Sequence, residues 1–276
     1  DMSRAPLILF LLIIITGCTA SESKKTLVVV LSVDYEDLSL PKGGENLEGI
    51  LAMLDRRNIS STFFILGATA ERYPENVKRI YKKGHSLGLH TYYHNFPIFS
   101  RKDAALIGGI YNRSAEVEWE LSFKSPDAFK ADIEASRRAV QLALGREAEI
   151  KMFRAPSIVV NWVNNEVYYD ALLEEGIKLD SSTYQDFTNP RAYYIERGVV
   201  VVPIVAFESR LDNYRKSLAL ADKSARAKVP FHLALHPQNL GPQELAELED
   251  FLDVIEARHE VTYLPLEDVQ SYYSTM

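Results

Sequence analysis

The chain has one cysteine, Cys18, so no intramolecular disulfide can form and stability must come from packing. Positive charge is also short: 31 Lys and Arg face 38 Asp and Glu, a net charge of -7 with the histidines neutral. The basic residues are scattered rather than gathered into a patch. That argues against a nucleic-acid partner, because an acidic surface repels backbone phosphates. The N-terminal apolar run, LILFLLIII, covers only residues 7–15, too few to cross a bilayer, which takes about 20. What the chain does have is bulk. With 47% hydrophobic residues in 276 it can bury a sizeable core, and a barrel of alternating strands and helices uses about 250 residues as one domain.

The apolar run follows Arg4 and gives way to ITGC, ending at Cys18, and then to a polar SESKK. Its length suits the core of a secretory signal. A small residue followed by Cys18 at the end of that run resembles the lipobox of prokaryotic lipoproteins. The resemblance implies cleavage before Cys18, a lipid on that cysteine, and a membrane-anchored protein of the cell envelope facing the periplasm or the exterior. The expected division is a signal peptide at 1–18, a linker at 19–26 and a catalytic domain at 27–276.

TLVVVLSVDY, residues 26–35, reads as a strand buried on both faces. After a PKGG loop, Leu47, Ile50, Leu51 and Leu54 repeat at helical spacing, and STFFILG follows as a second strand. Helices are expected at about 69–83, 127–145, 163–175 and 243–257, alternating with strands at 85–90, 150–155, 177–180, 199–207 and 230–236. This alternation predicts an α/β fold, a distorted (β/α) barrel of about seven parallel strands under covering helices.

In such barrels the chemistry gathers at the C-terminal ends of the strands. That rule selects Asp34, Glu36 and Asp37 after the first strand, His90 and His94 after the third, and Arg154, Asp180 and His236 after later ones. Singly, Arg154 fits a surface ion pair, Asp180 a helix cap and His236 a core histidine. Together, eight polar residues at equivalent strand ends converge on one mouth. His90 and His94 can face the same way on a helical turn, with Cβ atoms about 5–6 Å apart, and so reach one ion. Imidazoles with a carboxylate suit a divalent metal, foremost Zn²⁺, with Co²⁺ or Ni²⁺ also tolerated. DYED, residues 34–37, offers one acid for the metal and another to take a proton from a water whose pKa the metal lowers toward about 7.

These motifs resemble the polysaccharide deacetylase family, carbohydrate esterase family four, over roughly residues 27–273. SVDYED stands where the family has TFDDG, and His90, Thr91 and His94 match its H(S/T)xxH. FRAPS, with Arg154, resembles its arginine motif, LDSS, with Asp180, its later aspartate motif, and LALHP, with His236, its final histidine motif. The resemblance implies a metal-dependent deacetylase acting on an N-acetylated glycan. By that resemblance Asp34 is the base, His90 and His94 bind the metal, Arg154 orients the base, His236 protonates the leaving amine and Asp180 tunes that histidine. The family's adjacent aspartates are separated here by Tyr35, so the metal carboxylate falls to Asp37, marginally preferred, or to Glu36.

Trp162 and Tyr93 are candidates to stack on sugar rings, while His85, His232 and His259 read as structural. Two other readings remain: a glycan-binding envelope lipoprotein without turnover, and an amidohydrolase for a small cyclic amide. The complete set of base, histidines, arginine and acid argues against the first. The intact HTYYH and the envelope signal disfavour the second.

Overall fold

The computed structural model describes residues 24–36, 42–163, 165–208 and 214–276. The expected signal segment with Cys18 lies outside the described residues, as does Asp37. The first strand, β1 (Lys25–Tyr35), organises the rest. Its alternation sorts its residues into two rows. Val29, Leu31, Val33 and Tyr35 join the large core beneath the helices, and Val28 and Val30 join a smaller cluster on the inner face of the sheet. Ser32 and Asp34 continue the inner row toward the C-terminal end.

Beyond β1 come α1 (Lys42–Arg56), β2 (Thr62–Ile65), α2 (Gly67–Arg72), α3 (Pro74–Lys82) and β3 (Ser86–Leu89). A helical excursion, α4 (Arg101–Tyr111) and α5 (Ala115–Glu120), leads to the long α6 (Pro126–Leu144). The chain continues through β4 (Met152–Phe153), α7 (Glu166–Glu174), β5 (Leu179–Asp180), the hairpin β6 (Tyr194–Glu196) and β7 (Val199–Val201), and β8 (Ala206–Phe207). Last are α8 (Tyr214–Ala227), β9 (Phe231–Leu235), α9 (Pro242–Arg258), β10 (His259–Tyr263) and α10 (Val269–Ser274). The strand order is β6, β7, β5, β4, β3, β2, β1, β9, β8, with β10 also on β1. Every pairing is parallel except β6 with β7.

The expected α/β class is therefore present as a curled, mainly parallel sheet covered by helices. The run 199–207, expected as one strand, is bent at Pro203. On the β5 side Val202 N donates to Asp180 O at 2.9 Å and Ile204 N to Thr183 O at 2.8 Å, whereas Val205 N donates to His232 O on the β9 side at 2.9 Å. One broken strand thus ties the two flanks of the curl. With β1 to β5 and β9 it accounts for the expected seven.

The helix expected over 69–83 is two helices. Pro74 occupies the first turn of α3 and, having no N–H, cannot continue α2. α4, α5, α8 and α10 lie outside the expected set. α4 carries Gly108 and Gly109 and leaves Leu106 48% exposed and Ile110 42% exposed, so its apolar positions do not form one buried stripe. α6 is the opposite case: Ser125 caps it by accepting from Ala128 N, Pro126 opens it, and Gly145 ends it in the left-handed region at φ 68°.

Candidate active site

Ser32, Asp34 and Glu36 stand at alternate positions along β1 and just beyond it. Arg154, immediately after β4, is fully buried and gathers the first two. Its Nη1 donates to Asp34 Oδ1 at 2.6 Å, its Nη2 to Ser32 Oγ at 2.8 Å and to Ser181 Oγ at 3.0 Å, and its Nε to Ser181 O at 3.1 Å. The Phe64 ring lies 4.2 Å from the guanidinium carbon. A cation buried this deeply persists only when paired and hydrogen-bonded. His232, expected to be structural, completes the set: its Nε2 lies 2.8 Å from Ser32 Oγ and 3.2 Å from Arg154 Nη2, and its Nδ1 donates to Pro203 O at 3.1 Å. Burial, and then the Arg154 charge, hold His232 well below the usual imidazole range, so it is a neutral acceptor.

HTYYH does not form the expected helical turn. It leaves β3 as a loop, with Thr91 and His94 in the left-handed region at φ 61° and 66°. The loop is backed by α2, whose Gly67 N donates to Thr91 O at 3.0 Å and Ala68 N to Tyr92 O at 3.1 Å. Tyr92 N also donates to Asp132 on α6, at 3.0 Å to Oδ1. A Cβ at position 67 would collide with the Tyr92 ring, so this close approach requires glycine.

Held in this way, both histidines reach Glu36: His90 Nε2 is 2.8 Å and His94 Nε2 3.1 Å from its Oε1. Of the two acids, Glu36 is the one that the described residues bring to these histidines; Asp37 lies outside them. β1 persists through Tyr35, so alternation sends Glu36 inward beside Asp34, while Tyr35 points to the core and accepts from Asn76. Burial works to raise the Glu36 pKa, but the hydrogen bonds and charges of His90 and His94 outweigh it and hold the carboxyl well below its usual range.

Ligand atoms of Glu36, His90 and His94 all lie within 4.8 Å of one another. His90 Nδ1 is 2.8 Å from Arg154 O, a pure acceptor, so that nitrogen carries the proton. Its Nε2 then turns a lone pair toward a carboxylate oxygen. Either a proton shared with that oxygen or a cation among the three groups holds such a contact together, and a backbone carbonyl fixing the outer nitrogen is a common support for a metal-binding histidine. The donor set fits a divalent first-row metal.

On the other side of Asp34 lies His236, its Nε2 3.7 Å from Asp34 Oδ2 and 4.0 Å from Glu36 Oε1. Its Nδ1 meets Glu208, at 2.9 Å to Oε1 and 3.0 Å to Oε2. Asn239 donates to the same carboxylate at 2.7 Å. Burial alone would lower the His236 pKa, but the Glu208 hydrogen bond and the charges of Asp34, Glu208 and Glu36 push it up to about 9. Asp180, expected in this role, is elsewhere. It accepts from Tyr168 OH at 2.7 Å, Tyr169 OH at 3.3 Å and Ser182 N at 3.1 Å, and burial raises its pKa to about 6 against those bonds. It therefore braces the β5 end behind Arg154. Glu208 was discoverable by the strand-end rule, since it directly follows the apolar run at 199–207.

The mouth is a cavity of about 320 Å³ lined by Asp34, Glu36, His94 and His236, with Tyr111, Tyr184 and Phe207 among its walls. Trp162 is 41% exposed, with its ring 6.3 Å from Tyr184, and so flanks this wall. Tyr93, the other stacking candidate, is 65% exposed and packs on Tyr92 outside the cavity lining. Ser157 and Ile158, which also line the cavity, hold φ of 56° and 53°. For the β-branched Ile158 that backbone is a strained outlier. Tyr111 OH donates to Ser157 O and helps to hold it.

A family model described as polysaccharide deacetylase matches residues 21–175. A peptidoglycan-N-acetylglucosamine deacetylase of Bacillus cereus is 51% identical over 45 residues, an alignment covering 16% of this chain and 16% of that protein. The chain thus matches under a fifth of that relative's length. Among solved structures, a Mycobacterium smegmatis protein of polysaccharide-deacetylase type superposes with a TM-score of 0.62 at 18% identity, covering 92% of each chain. Puue allantoinase superposes with a TM-score of 0.67 at 14% identity, covering 93% of this chain and 92% of its own. At these identities both likenesses are of fold.

Proposed function

Because the chain belongs to the polysaccharide deacetylase family, we propose that it is a metal-dependent hydrolase of linear amides. Its substrate is an N-acetylated amino sugar within a cell-envelope or extracellular glycan, from which it releases acetate and leaves a free amine. The observation that carries this reading is the meeting of the Glu36, His90 and His94 donors with Asp34 and His236, whose facing atoms are 3.7 Å apart.

Glu36, His90 and His94 would hold the metal, Zn²⁺ by the character of the donors, with Co²⁺ or Ni²⁺ acceptable. When bound, it supplies polarisation of the acetyl carbonyl and of the attacking water. Asp34 Oδ1 is engaged by Arg154, which leaves Oδ2 to take a proton from that water as its oxygen adds to the carbonyl carbon. His236 Nε2 gives its proton to the amide nitrogen as the C–N bond breaks, while Glu208 fixes Nδ1. Arg154 keeps the base oriented throughout. Tyr111, Tyr184 and Phe207 offer aromatic faces to the apolar side of a sugar ring, with Trp162 extending that wall.

Lipid attachment at Cys18 would hold the enzyme at a membrane surface within reach of such a glycan; the apolar run at 7–15 and the small residue before the cysteine support it. Acetate release from an N-acetylglucosamine oligomer tests the activity, measured with chelator and then with Zn²⁺ restored. Release that stops with chelator and returns with metal is the expected result. No release from a protein that demonstrably binds metal would refute the deacetylase reading for this substrate class.

A further inference from the structure

At the opposite end of the sheet from the catalytic mouth lies a second cavity of about 680 Å³, twice the size of the first. Its walls are apolar and aromatic, with Val28, Tyr272, Tyr273 and Met276, and its rim carries Lys25, Arg226 and Lys228. Lys25 opens β1 and Asp34 sits near its other end, nine residues on. At about 3.3 Å per residue the two are roughly 30 Å apart.

The three rim cations are exposed and have no ion-pair partner among the described residues. Two neighbouring cations are engaged: Lys24 donates to Glu256 O at 2.8 Å, and Arg258 pairs with Asp222 at 3.3 Å. Exposed acids at this end are Glu260, opposite Thr26 on β10, and Glu267 and Asp268 ahead of α10, where Glu267 accepts from Thr62 and Ser86. A chain with a net charge of -7 thus gathers free positive charge around one apolar hollow. Met276, at 80% exposure, projects beside it.

The position of the chain adds a second argument. Lys24 is on this floor, and only residues 19–23 separate it from Cys18, the proposed site of the lipid. The six steps from Cys18 to Lys24 span at most about 21 Å when fully extended. A bilayer that holds a lipid on Cys18 is therefore close to the floor and far from the mouth.

We propose that this floor is a docking surface for an anionic lipid bilayer. Lys25, Arg226 and Lys228 meet headgroup phosphates, and Tyr272, Tyr273 and Met276 enter the interfacial layer, where aromatic rings are at home. The inference is independent of the deacetylase activity and fixes orientation: the mouth faces away from the membrane.

Amide hydrogen exchange of the full chain, bound to vesicles of phosphatidylcholine alone or mixed with phosphatidylglycerol, tests it. The expected result is exchange slowed by about tenfold at residues 24–28, 226–229 and 271–276 on the anionic vesicles only, with the mouth unaffected. High salt should remove the protection, and so should the combined exchange Lys25→Glu, Arg226→Glu and Lys228→Glu, at unchanged thermal stability. Equal protection on both lipids, or protection that survives charge reversal, overturns the docking, since the hollow would then be filled by a segment of this chain or another ligand. A chain that binds both vesicles without floor protection keeps its anchor and loses this inference. Binding to neither sinks the anchor as well.

Discussion

Arg154 concentrates the demands of the site in one side chain, because it is wholly buried and its charge is answered chiefly by Asp34. Removing the cation by Arg154→Met strands that carboxylate, and urea unfolding should show a loss of about 3–5 kcal/mol. Asp34→Asn keeps an oxygen for Arg154 and leaves the three metal donors untouched, so metal content should persist while acetate release disappears. His90→Ala and His94→Ala should each lose the metal; full occupancy in both would refute the ligand assignment. His236 links charge to stability. Its folded pKa of about 9 exceeds the unfolded value, so in chelated protein its contribution is complete below about pH 6.5 and is lost as pH rises through about 9. Glu208→Gln should flatten that decline; an unchanged slope would mean that Glu208 is not its source. At this scale the gathering of Asp34, Arg154, His90, His94 and His236 was legible from residue type and strand-end position, whereas the roles proposed for them came from the family resemblance. Glu208 and Asp180 both satisfy the strand-end rule, and only the folded path of 199–207 shows which one reaches His236.

At the scale of elements, the HTYYH loop depends on two helices that contribute nothing to the chemistry. α2 meets its carbonyls with backbone N–H groups, and α6 meets Tyr92 N with Asp132. Burial pushes the Asp132 pKa up to about 7 against the bonds from Tyr92 N and Ser136. An acid raised on folding makes the folded state less stable as pH climbs from about 3.9 toward 7. Asp132→Asn retains an acceptor and sheds that penalty, so chemical denaturation should show its advantage over the wild type growing from pH 5 to pH 8. A constant difference across that range would mean that the carboxyl does not titrate there. The sequence foretells α6 well because its Ser125, Pro126 and Gly145 are local signals. It misleads at HTYYH, where a spacing of four is compatible with a helix but the backbone at Thr91 and His94 is left-handed. β4, β5 and β8 have two residues each and depend on neighbouring strands rather than on their own composition.

For the molecule as a whole, metal binding and folding should be coupled, since the proposed ligands come from the residue just beyond β1 and from the loop after β3, which converge only in the folded state. A cation at about 100 times its dissociation constant adds about 2.7 kcal/mol. In a domain of this size that corresponds to a rise of roughly 5–10 °C in the unfolding midpoint. Differential scanning calorimetry with and without Zn²⁺ checks this, and a midpoint indifferent to metal would argue against a preformed site. The alternation of β1 carries a longer consequence. Val28, Val30, Ser32, Asp34 and Glu36 form one row and Val29, Leu31, Val33 and Tyr35 the other, so catalytic register and core register are the same register. Point substitution can silence Asp34 and leave both rows in place, whereas inserting or deleting a single residue within the strand exchanges the rows and ruins fold and chemistry together. Descendants of this chain can therefore lose catalysis by base changes that spare the barrel, but a one-codon insertion or deletion in β1 is closed to them.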